Sequence, residues 1–406
     1  MKRIICLIIT LLLLFAEGSS ANSLLEQSAL ASPGDSTSDW SAIALLVSDK
    51  AFDKKAYLDA LKDYVAEKYQ QNGKLSPVKS TEWHRIALAV TLCGEDATNF
   101  YGINLINDGV FFRENLGRQG INAYIWSLIA INSGNYAEEA GSINTIEAII
   151  SHILSVQNAD GSFSLRTNEP DCDITAMTIC ALSSYKSRED VSHAIENAIN
   201  FLSLYQNDDG SFSQNNIPNA ESTAQVMIAL ASIGISPKTD VRFQNLYDSL
   251  LSFRTADGFS HIYNSSTNII ATYQTECALV AADKCAPIYR ISKTVAKEIP
   301  IEFYTESYTE PPKEINTQPV PIVENWAEEE TSALCAEEIT EPKTTSELIE
   351  PSEGNTQAPT EDESTFSVNP TESENKSKSW TLSVIIMSVI IVFICIYVIM
   401  RKKHEK

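Results

Sequence analysis

At 406 residues, with 44% hydrophobic and 20% charged residues, the chain has the length and balance to bury a sizeable core. Its formal net charge of −23 gives phosphate no basic footprint, so nucleic acid is excluded as an expected partner. Eight cysteines with no CxxC and no Cys/His cluster make neither a disulfide scaffold nor a zinc site.

Lys2 and Arg3 open the chain, an apolar run covers residues 4–16, and Ser19, Ser20 and Ala21 suit a signal peptidase. That run is too short to span a bilayer, so residues 1–21 are expected to be a removable signal peptide. At the other end, residues 380–400 are apolar and contain no Asp, Glu, Lys or Arg, and Arg401, Lys402 and Lys403 follow at once. The pattern predicts one transmembrane helix with a cytoplasmic tail over residues 401–406. Everything between is then extracellular, on a chain anchored in the cell membrane by a single pass.

The acidity is concentrated in residues 301–379, which hold 19 acidic and 4 basic residues and are rich in Glu, Thr, Ser and Pro. Such a composition cannot bury enough apolar surface to offset its ordering entropy, so a disordered stalk is expected there. Cys6 and Cys395 fall in the two apolar runs. Of the rest, Cys172 and Cys180 are eight apart, as are Cys277 and Cys285, which on a helix is about 12 Å and too far to bond within each pair. Buried thiols are the expected state.

Residues 22–300 repeat themselves. The run containing Gln157, Asp160, Gly161 and Phe163 returns with Gln206, Asp209, Gly210 and Phe212, then in shortened form with Asp257, Gly258 and Phe259. Each copy precedes an apolar helical run containing an Ala-Leu pair, at 181–182, 229–230 and 278–279, and similar pairs upstream at 44–45, 87–88 and 127–128 bring the total to six. Apolar residues at three- and four-residue spacing behind Ser, Thr, Asn or Asp predict helices. Partner helices are expected over 140–156 and 192–205. A lone helical hairpin cannot cover its own apolar face, whereas six closed into a ring can. The expected fold is therefore all-α: a toroid of about six hairpins, then the stalk and the single transmembrane helix.

The Q-x-x-D-G-S-F element followed by a helix opening on Thr-Ala resembles the repeat of the squalene cyclase and prenyltransferase superfamily, whose members form α/α toroids. That resemblance implies several functions. Asp171-Cys172-Asp173 is similar to the D-x-D-D acid motif of class II terpene cyclases, with Ile174 in place of the last acid, and in such an enzyme Asp173 would be the general acid. The same register in the next repeat carries Glu221, so these acids also read as helix caps and dipole partners. The prenyltransferase zinc triad is not reproduced. Cys93-Gly94-Glu95-Asp96 resembles a thioester motif without the Gln amide it needs, and Gly94 reads as a helix end. Corrinoid carriers share the toroid, but their closing β domain has no counterpart here. By elimination the expected role is recognition of an extracellular small molecule, glycan or protein, with no cofactor or metal; a class II cyclase using Asp173 as general acid and a corrinoid-binding protein are the alternatives. Candidate contacts are Trp40, Trp83, Tyr124, Trp126, Asp171, Asp173, Glu221 and Tyr273, each of which could equally be core filling or a cap.

Overall fold

A computed structural model of the chain describes residues 21–165 and 169–291. The expected signal peptide up to residue 20, the acidic segment from 301, the apolar run 380–400 and the basic tail lie outside the described residues. Among the described residues no helix is long and apolar enough to cross a membrane.

Helices follow one another in two alternating kinds. Helix α1 (residues 21–31), α3 (Lys54–Asn72), α6 (Ile146–Ser155), α8 (Glu189–Tyr205) and α10 (Leu246–Leu251) each bury one stripe. In α3 the stripe is only Tyr57, Leu61 and Val65, spaced by one helical turn. By contrast, α2 (Ser36–Val47), α4 (Ser80–Leu92), α5 (Ile121–Gly134), α7 (Cys172–Leu182), α9 (Ala220–Ser232) and α11 (Ile269–Lys284) are buried on nearly every side, and in α9 every residue is buried. A helix that is apolar all round has to be surrounded by protein. These six pack on one another in chain order, and α11 returns to pack on α2, closing a ring of inner helices. At that seam Lys50 Nζ meets Glu276 Oε2 at 2.7 Å, and Lys284 Nζ donates to the Val47 carbonyl at 3.2 Å.

The outer layer is uneven. The partner helix expected over 140–156 begins only at Ile146, capped by Thr145 Oγ1, because Gly141 turns the backbone at φ +85° and Asn144 spends its amide on the Val110 and Arg113 carbonyls. Between α4 and α5 the outer element is reduced to a π-type turn, Asn107–Phe111, and a 3-10 turn, Leu116–Gln119.

The Asp-Gly turns clip each repeat to the next. Asp160 Oδ1 accepts from the amide and hydroxyl of Ser162, and Asp209 does the same for Ser211. Gln157 Nε2 donates to the carbonyls of Gly161 and of Ala194 on α8; Gln206 Nε2 donates to those of Gly210 and Gln244. Gly161 and Gly210, at φ +90° and +92°, lie against the backbone of Asn197 and Asn245, where a Cβ would have no room. The amides of Phe163, Phe212 and Phe259 donate to Thr175, Thr223 and Thr272 on the inner helices, and all three rings are buried between the layers. Two short antiparallel pairs, β1 (Phe212–Gln214) with β2 (Ile217–Asn219) and β3 (Phe259–Ser260) with β4 (Thr267–Asn268), lead into α9 and α11.

Candidate functional site: a polar collar at one mouth of the ring

The inner helices run the same way round, so their N-termini gather at one end of the ring. Since Thr175 and Thr223 reach outward to the Asp-Gly turns, the residues two places before them, about 200° around the helix, face the axis. Those residues are Asp173 and Glu221, the second residues of α7 and α9. On α5 the second residue is Asn122, and Trp126, one turn deeper on the same face, meets Trp40 of α2. Asn122, Asp173 and Glu221, each the second residue of its helix, are all buried, at 4%, 1% and 0% exposure, and make up the polar collar of the ring.

Helices α7 and α9 are each capped just ahead of their collar residue. Asp171 caps α7, accepting from the amides of Asp173 and Ile174, and Asn219 and Asn268 do the same work for α9 and α11. Burial, and next the neighbouring Asp173, push the Asp171 carboxyl up to about 7. Cys172 donates weakly at 3.5 Å to Asp173 Oδ1 and to the Ser213 carbonyl, and its thiol is held well above the ordinary range by burial. Glu221 Oε2 lies 2.8 Å from Nδ1 of His261, a half-buried residue on the turn between β3 and β4, and this bond raises the His261 pKa.

About one helical turn below the collar the axis is filled. The rings of Trp40 and Trp126 meet edge to face with centroids 5.0 Å apart, and Tyr273 stacks on Trp40 at 6.4 Å. Tyr289, from the chain that follows α11, lies 6.2 Å from both tryptophans and shares a hydrogen bond with Cys277. The Ile291 amide donates to the Ser133 carbonyl at the far end of α5, so this segment stoppers the ring from below. Gln225 and Gln274 bond to each other at 2.9 Å on the facing wall.

Three buried polar atoms here have no hydrogen-bond partner: Asn122 Oδ1, Glu221 Oε1 and Trp126 Nε1. Buried polar groups are normally satisfied, and leaving one bare costs roughly 1–3 kcal/mol. This end of the ring therefore holds two acceptors and one donor that are buried without partners.

Of the residues singled out in the sequence, Trp40, Trp126 and Tyr273 come together on the floor, and Asp171, Asp173 and Glu221 at the rim. Trp83 and Tyr124 do not join them. Trp83 is buried between the layers, its Nε1 donating to Tyr69 at 3.0 Å, with the Arg113 guanidinium 4.1 Å from its ring centre. Tyr124 lies on His152 of α6, ring centres 4.0 Å apart. Both occupy the outward place that Thr175 and Thr223 hold in later repeats. Cys93, Cys172, Cys180, Cys277 and Cys285 are free thiols, and burial pushes Cys93 up to about 12, so it is no ready nucleophile. Gly94, at φ +91°, ends α4 as its residue type suggests. Among the described residues no group of three or more His, Cys, Asp or Glu could hold a metal ion.

Residues 120–260 match the family model of the prenyltransferase alpha-alpha toroid domain. That segment of the chain is similar to the α/α toroid of prenyltransferases. The matched segment of the toroid runs from the glycine before α5 to β3, and so takes in α5, α7 and α9, the three helices that carry the collar. No curated protein matches the chain.

Proposed function

We propose that this toroid is a binding protein displayed at the cell surface, taking an extracellular small molecule at its collar. The carrying observation is the set of unpartnered atoms on Asn122, Glu221 and Trp126, three polar groups on one lumen whose hydrogen bonds a ligand would complete. The identity of Asp171 supports the same reading. Sister repeats fill its capping role with the neutral Asn219 and Asn268, while Asp171 carries a carboxyl that the site raises to about 7. An acid that stability does not ask for is typical of a functional site. A cyclase would need a deep apolar cavity for a long hydrocarbon, and Trp40, Trp126 and Tyr289 stand on the axis where it would lie.

In this reading the signal peptide exports residues 22–379, the span over 380–400 anchors them, and the acidic stalk holds the ring off the membrane. Two experiments test it. Protease shaving of intact cells should remove the ring and leave a membrane-bound stub; protection of the whole chain would overturn the topology. Native mass spectrometry of the protein purified from its host should show a small molecule that is lost in the Asn122→Ala, Glu221→Ala double variant. A mass equal to that of the bare polypeptide in every preparation would count against a small-molecule ligand and for a protein one.

A further inference from the structure

The hydrogen-bonding deficit of the collar narrows the class of ligand. Two of the bare atoms accept, Asn122 Oδ1 and Glu221 Oε1; one donates, the Nε1–H of Trp126, on the same face of α5 as Asn122 and one turn deeper. Both Asn122 and Trp126 are more than nine-tenths buried. An anion is poorly suited to this mouth. Asp171 Oδ1 already takes the amides of Asp173 and Ile174 and Asn219 Oδ1 that of Ser222, and the side chains beside them are the carboxylates of Asp173 and Glu221. His261 takes only one oxygen of Glu221, leaving the other a bare carboxylate oxygen in a buried site, for which a charged donor is the strongest partner. Beneath it the Trp40 and Trp126 rings add the π surface that attracts a cation.

Resting on the reading that the collar is a ligand site, we propose that it takes a small amino alcohol. The ammonium group donates to Glu221 Oε1 and Asn122 Oδ1, and an oxygen about one helical turn away accepts from Trp126 Nε1–H. No bond is made or broken; the site recognises and holds.

Isothermal titration of the full chain in mild detergent tests this with three probes: 4-aminobutan-1-ol, its neutral counterpart butane-1,4-diol, and butylamine, which keeps the charge and lacks the hydroxyl. The amino alcohol should bind at least tenfold more tightly than the diol and several-fold more tightly than butylamine. Glu221→Gln should cost at least tenfold for the amino alcohol and little for the diol. Trp126→Phe should remove the advantage over butylamine. Should either variant fail to fold, the comparison of probes on the unaltered chain decides. Equal binding of diol and amino alcohol would overturn the ammonium assignment and leave the collar as a binding site for neutral polyols. Binding of no probe would overturn the amino-alcohol proposal, while a host-derived molecule at the collar would still uphold the broader reading.

Discussion

Trp40 and Trp126 touch across the ring: they sit on α2 and α5, which are separated by α4, yet their ring centres are 5.0 Å apart. Side chains from non-neighbouring staves meet only where the axis is filled. Tyr289 completes the filling from below, so the last described segment is part of the core of the toroid and not a simple lead-out. Tyr289→Ala should then destabilise the protein by about 3–5 kcal/mol, as other large aromatic truncations in cores do. Tyr289→Phe should cost far less, about 1 kcal/mol for the lost hydrogen bond. Urea unfolding of the three proteins followed by tryptophan fluorescence checks the order; a Tyr289→Ala protein as stable as the parent would mean the stopper is not structural.

Two glycines with nearly the same backbone angles separate steric room from backbone strain. Gly94 has φ +91° and open space where a Cβ would stand, while Gly210 has φ +92° and the Asn245 carbonyl carbon 2.6 Å from that position. Alanine at Gly94 should cost about 1 kcal/mol, the strain of a left-handed residue alone. At Gly210 it should cost at least twice as much, because the turn has to lift off α10. Equal losses in thermal unfolding would show that the Asp-Gly turn does not clip one repeat to the next.

The ring was legible because the Asp-Gly turn recurs with its Gln and Phe, residues whose spacing is dictated by bonds that the structure shows. The collar was half legible. Asp173 and Glu221 stand out as acids inside apolar runs, but Asn122, a polar residue in the same place on α5, does not, because its repeat lacks the outward Thr that fixes the register. For the same reason the Ala-Leu pairs misalign the early repeats, and Trp83 and Tyr124, expected at the mouth because they lie near helix starts, face the outer layer in the fold. His261 and Tyr289 carry no local signal. One lies in a turn and the other beyond the last helix, and only ring closure brings them to Glu221 and Trp40.

His84 and Asp171 tilt stability in opposite directions over the same range of pH. Burial lowers His84 from 6.5 to about 4, its Nε2 meeting the Gly109 carbonyl at 2.9 Å. The unfolded chain therefore binds the extra proton first, and stability is full above pH 6.5 and lost as pH falls toward 4. His84→Gln should flatten that loss, which a shift of this size sets at roughly 3 kcal/mol. A denaturation series from pH 4 to 7 measures it, and an unchanged slope in the variant would show that His84 is not buried as a neutral ring.

Asp171 works the other way. With its carboxyl raised from 3.8 to about 7, the folded state holds the proton longer, so stability falls as pH climbs through that window. Asparagine already performs the same cap at Asn219 and Asn268, so Asp171→Asn should fold normally. The variant should match the parent near pH 4 and exceed it above pH 7 by about 1 kcal/mol or more. Calorimetric melting at the two pH values reads this directly, and a variant less stable at pH 8 would mean that the ionised carboxylate is held by more than its two amide bonds.

The contact of His261 with Glu221 ties the β3–β4 turn to the collar, and its pH dependence has a definite sign. The hydrogen bond to Glu221 raises the His261 pKa above 6.5, outweighing its partial burial. A raised base contributes stability that is complete below the unfolded value and disappears as pH rises through the folded one. In Glu221→Gln the charge that holds the imidazolium is gone, so the His261 resonance should titrate at a lower pH than in the parent. The stability gap between the two proteins should also narrow from pH 6 to pH 9. Proton NMR titration follows the ring, with His261→Asn identifying its signal. Should His261 titrate at the same pH with and without the carboxylate, the turn is not latched to the collar, and Glu221 has both of its oxygens free for a ligand.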